Sequence, residues 1–182
     1  MKRVLVPLAP GFEEIEAITV IDVLRRAGAE VVVAGTQAGI IKGAHGLQVT
    51  PDRELSGVKQ DPFDMIVLPG GGEGVENLRK DPRVLALVKE FISKEKPVAA
   101  ICAAPSILSE AGLLRGRQAT SYPSYKEAVA AGSVYSEERV VTDGKLVTSR
   151  GPGTAMEFAL KLVEMLEGKE KVSELKAAML AP

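Results

Sequence analysis

The 182-residue chain contains one cysteine, one histidine, no tryptophan, three tyrosines and four phenylalanines. One cysteine excludes an internal disulfide. One cysteine with one histidine does not make a zinc set by spacing, and the carboxylates show no calcium-loop pattern, so no metal is expected. Scarce aromatics argue against a stacking platform for single-stranded nucleic acid. The charge has no dominant sign: 23 basic against 24 acidic residues give a formal −1, too little to recruit nucleic acid or an anionic membrane. No apolar run approaches the roughly 18 residues of a membrane span. The stretch after Met1-Lys2-Arg3 is broken by Pro7 and Pro10 too early for a signal peptide. The Gly70-Gly71-Gly72 run lacks the lysine and hydroxyl of a P-loop, and the third glycine of a dinucleotide fingerprint is missing after Gly72 and Gly74. The expectation is one soluble cytoplasmic domain over residues 1–182, free of cofactor, nucleic acid and membrane.

What the chain does have is alternation. Val4-Leu5-Val6 with Leu8 and Ala9 reads as a buried strand, Pro10-Gly11 turns it into a helix over 13–27, Gly28 stops that helix, and 30–34 is a second strand. Residues 39–41 and 47–50 read as a small ribbon. Met65 to Leu68 is a third buried strand, Asp81-Pro82 opens a helix with apolar residues from Val84 to Ile92, and Val98 to Ile101 is a fourth strand. A helix follows the cysteine. Short strands are expected near Ala119, Val134 and Val140, a hairpin at Asp143-Gly144 and a strong strand over 146–149. Thr154 with Glu157 suggests a capping box for a helix over 155–166, and a last helix covers 172–180. The pattern predicts an α/β, flavodoxin-like doubly wound sandwich with a mostly parallel central sheet, whose ligands bind at the carboxyl ends of the strands.

Cys102 sits at such an end, with Pro105 in the first turn of the next helix. Helix N–H groups near a thiol favour the thiolate, although a lone cysteine is also among the residue types most often simply buried. Glu16 is the second candidate. At about 100° per residue it falls between Val23 and Ala27 on the apolar arc of the first helix, while Asp22, Arg25 and Arg26 lie opposite. A carboxyl there needs a partner or its proton. Gly70, Gly71 and Gly72 follow a strand and can present N–H groups to an oxyanion, or can form an ordinary turn. The segment from Arg150 to Thr154 can bind an anion, though capping already explains it. His45 lies in a glycine-flanked ribbon and reads as a surface or interface residue rather than as a partner of Cys102.

The segments 11–16, 68–71, 99–103 and 148–154, in this order, resemble the ThiJ/PfpI superfamily and its DJ-one-like branch; 22–28 and 31–35 extend the likeness over nearly the whole chain. The resemblance implies a homodimer, a reactive Cys102 at a strained elbow, a protonated Glu16 beside the sulfur, and an oxyanion site lined by Gly70, Gly71 and Ala103. It implies a cysteine-dependent, cofactor-independent glyoxalase or deglycase acting on α-oxoaldehydes such as methylglyoxal, or on early glycation adducts. A non-enzymatic redox sensor or chaperone working through Cys102 sulfinate is the alternative. Two departures stand out. Ala103 replaces the histidine that follows the cysteine in protease-like relatives, which weakens a peptidase reading. Tyr122 stands where the DJ-one-like branch often has a second histidine, and a phenol with a pKa of about 10 is a poor base at neutral pH.

Overall fold

A computed structural model describes residues 1–58 and 62–182. Strand β1 (Arg3–Leu8) runs into helix α1 (Glu14–Arg26), which returns the chain to β2 (Glu30–Gly35). A two-stranded antiparallel ribbon, β3 (Ile41–Lys42) and β4 (Gln48–Val49), precedes a short edge strand β5 (Arg53–Glu54). Next come β6 (Met65–Leu68), α2 (Gly72–Lys80), α3 (Pro82–Ser93), β7 (Val98–Ile101) and α4 (Pro105–Glu110). The small pair β8 (Gln118–Ala119) and β9 (Val134–Tyr135) brackets α5 (Lys126–Ala130). The hairpin β10 (Val140–Asp143) and β11 (Leu146–Ser149) leads to α6 (Ala155–Glu167) and α7 (Lys169–Met179).

The central sheet has seven strands in the order β10-β11-β7-β6-β1-β2-β5. Among the described residues, only its β10–β11 pairing is antiparallel. Strand residues alternate between its two faces. Val4, Val6 and Leu8 pack with Val20, Leu24, Phe158 and Leu162 of α1 and α6, whereas Leu5, Ile66 and Leu68 pack with Val75, Leu78, Val84 and Val88 of α2 and α3. This is the doubly wound sandwich that the alternating pattern implies. Both faces being covered explains why the inner strands read as nearly continuous apolar runs.

Three local features differ from the sequence reading. Residues 72–80, to which the sequence reading assigns no element, form α2, which buries Val75 and Leu78. They are three residues apart, the spacing of one helix face, but a nine-residue stretch holds too few turns for a clear period. The edge strand β5 also went unread. It is two exposed residues long, so no burial pattern marks it. Thr154, finally, does not cap α6 through its side chain. Its hydroxyl turns back to accept from the Gly151 N–H and to meet Ser149 Oγ at 2.6 Å, while Glu157 pairs with Arg139. Here the tight turn at 151–154 competes successfully for the hydroxyl.

Candidate active site

The register of the sheet determines where Cys102 stands. Strand β7 pairs with β11 up to Ile101 and Ser149, so Cys102 is the first residue beyond the ladder. Its N–H donates to Ser149 O at 2.9 Å, and its carbonyl accepts from the Tyr122 N–H at 2.9 Å. Clamped on both sides, Cys102 adopts φ +67°, a left-handed conformation that costs a residue with a Cβ about 1–2 kcal/mol. The residue is 9 % exposed, at the edge of the core.

Glu16 is fully buried on α1, where the helical arc puts it. Its Oε2 accepts from the Gly70 N–H at 2.9 Å. Oε1 has no hydrogen-bond partner of normal geometry, and the polar side chain interacting with the carboxyl is the Cys102 thiol. Burial raises the Glu16 pKa from 4.5 to about 7, helped by the nearby Glu13 charge and opposed by the Cys102 and Gly70 contacts. The thiol moves the same way. Burial, then the charge and hydrogen bonding of Glu16, push Cys102 up to about 12, against the N–H groups of Gly71 and Ala103 that point at the sulfur. The expectation that the helix start favours the thiolate therefore needs correcting. While Glu16 is ionised, desolvation and like-charge repulsion outweigh the two amides.

Glycine is required at two neighbouring positions. A Cβ on Gly70 would overlap Glu16 Oε2 and lie 2.6 Å from the Cβ of Cys102. Gly71 has φ +95°, and a Cβ there would lie 2.6 Å from the Glu13 nitrogen. These contacts knit three strand ends together: the Glu13 N–H donates to Gly70 O, and the Gly74 N–H to Gly11 O, both at 3.0 Å. The gathering of the Gly11 turn, the Gly70 turn and Cys102 at one edge is thus present. Gly70 itself has a different part from the one expected, because its N–H is committed to Glu16 and not turned to an oxyanion.

Tyr122 flanks the site through its backbone bond to Cys102, and its ring, 44 % exposed, lies against Gly151. His45 is not brought to the sulfur as a base; its Nδ1 is 2.8 Å from Glu14 Oε2, and it is largely exposed. Ser106 escaped the sequence reading. Fully buried on α4, its hydroxyl donates to Ala103 O at 2.7 Å and accepts from Arg79 Nη2 at 2.8 Å. The link ties α2, which begins beside Gly71, to the turn that carries Ala103. A serine four residues after the cysteine is an unremarkable sequence signal, because the arginine that completes the link lies on the unread α2.

Residues 2–165 match the family model described as DJ-1/PfpI. Among curated proteins, Drosophila melanogaster DJ-1beta is 47 % identical over 181 residues, 98 % of this chain and 97 % of its own length. Its crystal structure superposes with a TM-score of 0.97, covering 100 % of this chain and 98 % of that one. A Caenorhabditis elegans protein named glutathione-independent glyoxalase is 39 % identical, over 96 % of this chain and 94 % of its own. A Pyrococcus abyssi protein named as a deglycase is 40 % identical, over 91 % and 99 %. With a family model spanning most of its length, relatives aligned nearly end to end and the same fold, the chain belongs to the DJ-1/PfpI family.

Proposed function

We propose that the protein is a cofactor-independent glyoxalase or deglycase that uses Cys102 as nucleophile and Glu16 as acid and base, on α-oxoaldehydes such as methylglyoxal or glyoxal or on early glycation adducts. The supporting observation is the pairing of a buried carboxyl, with a pKa near neutrality, with a thiol faced by two backbone N–H groups. The relatives named as a glyoxalase and as a deglycase support the same reading.

In this scheme the sulfur adds to the aldehyde carbon and the carbonyl oxygen takes up a proton, giving a hemithioacetal. The amides of Gly71 and Ala103 stabilise the developing negative charge. Glu16 moves the proton from that carbon to the adjacent carbon, while the hemithioacetal hydroxyl gives up its proton to the neighbouring carbonyl oxygen, so that the first carbon becomes a carbonyl and the second carries the hydroxyl. The product is a thioester of a 2-hydroxy acid. Water cleaves the thioester and regenerates the thiol, so the net reaction adds one water to one oxoaldehyde, with no oxidant and no reductant. Tyr122, at the open side, contributes to the substrate-binding wall. The test is quantitative: methylglyoxal loss and lactate formation by wild type, Cys102→Ser and Glu16→Ala. Many turnovers per chain in wild type and none in Cys102→Ser support the reading; equal rates in all three refute it.

The same enclosure suits a second role. The Gly71 and Ala103 amides and a protonated Glu16 are donors for sulfinate oxygens, which favours oxidative sensing at Cys102. Mild peroxide followed by intact-mass measurement tests it, with selective addition of two oxygens at Cys102 as the expected result. Peptidase chemistry is disfavoured, because the chain's single histidine is engaged with Glu14. We further propose that a second copy of the chain docks on Ile15 and Ile18 of α1 and on Ile40 and Leu47 of the adjoining ribbon, all large, apolar and exposed.

A further inference from the structure

Beside the cysteine site, at the start of α1, three side chains from two separate segments converge. Glu13, Glu14 and His45 each direct one ligating atom into a region where these atoms lie within 4.8 Å of one another. His45 Nδ1 is 2.8 Å from Glu14 Oε2 and 3.7 Å from Glu13 Oε2. A tetrahedral ion with metal–ligand bonds of about 2.0–2.2 Å holds neighbouring donors roughly 3.3 Å apart, so the two separations straddle the required value.

The arrangement is built and not a chance meeting of mobile surface groups. The side chains of Glu13 and Glu14 are only 13 % and 12 % exposed, so the two carboxylates are held close together against the fold. Glu14 Oε1 accepts from the backbone N–H groups of His45 at 2.6 Å and Leu47 at 3.4 Å. Those bonds orient Oε2 toward the imidazole, the part that outer hydrogen bonds play around metal ligands. Gly43 makes room for the carboxylate, because a Cβ there would overlap it. The ribbon is pinned to the start of α1 by the Gly11 N–H on Lys42 O and the Ala44 N–H on Phe12 O, both at 2.9 Å. Thirty-one residues separate Glu14 from His45, and this distance hides the set from any spacing rule.

We propose that Glu13, Glu14 and His45 bind a divalent first-row transition ion of the zinc type. Two carboxylates and one imidazole without a thiolate suit such an ion, whereas calcium asks for six or more oxygen donors. Three protein ligands leave a position open to water or to an incoming donor, the ligand count of open zinc sites and not of closed structural ones. The proposal is independent of the reaction assigned to Cys102.

Calorimetric titration of the whole protein with zinc chloride, paralleled by visible absorption with Co²⁺, tests it. The titration is run on wild type and on Cys102→Ser, so that an ion held by the sulfur is recognised. One ion per chain is expected in both, with a four-coordinate cobalt spectrum. His45→Ala and Glu14→Gln should each weaken binding by more than about tenfold, a loss at least as large as that of an outer-sphere partner. Thermal unfolding of the two variants without metal checks that they remain folded; His45 is mostly exposed and its replacement leaves the core untouched. Binding that disappears in Cys102→Ser, binding unchanged in both ligand variants, or no uptake by wild type overturns the proposal.

Discussion

Replacing Glu16 with glutamine should make the protein more stable, and by an amount that depends on pH. The carboxyl has a pKa of about 7 in the fold against 4.5 for a free glutamate. Between these values the folded chain holds a proton that the unfolded chain has released, so wild-type stability falls as pH rises from 4.5 to about 7 and then levels off. At 1.36 kcal/mol per pH unit, the span amounts to about 3 kcal/mol. Glutamine keeps the shape, its carbonyl can still accept from the Gly70 N–H, and it cannot ionise. The stability difference between Glu16→Gln and wild type should therefore grow by about 3 kcal/mol between pH 4.5 and pH 8, equivalent to about 6–12 °C in Tm for a chain of this size. Urea unfolding at fixed protein concentration across that range measures it, below the pH at which an unfolded cysteine ionises. A difference that stays constant with pH would refute the burial of an ionisable Glu16 as its cause.

Gly70→Ala should abolish turnover and remove the same pH-dependent step, because the new Cβ overlaps Glu16 Oε2 and crowds Cys102; unchanged lactate formation from methylglyoxal would count against the site geometry. Ser106→Ala removes one hydrogen bond from the Arg79 guanidinium, which keeps Glu76 and Glu110, and one from the Ala103 carbonyl, which keeps the backbone N–H of residue 106, and should cost about 0.5–1.5 kcal/mol in denaturant unfolding. A loss below about 0.5 kcal/mol would show that the link carries no load. Ile15→Glu places a charge in the exposed apolar face of α1 and should shift sedimentation from dimer to monomer with the fold intact; equal sedimentation of variant and wild type would move the interface elsewhere.

Much of this was legible in the chain because burial leaves periodic traces. The strands β1, β2, β6, β7 and β11 are runs of apolar residues flanked by turn signals, and their alternation with helices implies a parallel sheet. Glu16 was legible for the opposite reason: an acid on an apolar arc breaks the pattern, and a broken pattern asks for a cause. Features that depend on two distant segments left no such trace. The hydroxyl of Thr154 had a plausible local use as a cap and went to Ser149 and Gly151 instead. Neither the commitment of the Gly70 amide to Glu16 nor the Arg79–Ser106 link is periodic, and each becomes visible only once strand ends and helices are set side by side.

The proposed chemistry depends on one such juxtaposition. Ionised Glu16 and an ionised sulfur cannot easily coexist in a buried space, so as pH rises past about 7 the pair takes up one negative charge and not two. Placed on the carboxyl, that charge is met by the Gly70 N–H; placed on the sulfur, it is met by the N–H groups of Gly71 and Ala103 and by the proton of Glu16. The two arrangements differ only in the position of one proton. In the proposed reaction, a thiol that is a weak acid beside a charged Glu16 would become a nucleophile by passing its proton to that carboxyl, with no change in the charge of the site. The proton so stored is the one the hemithioacetal oxygen needs. The strained backbone at Cys102 and the missing side chains at Gly70 and Gly71 have a common consequence: they let a strand end, a helix and a turn approach closely enough for that transfer.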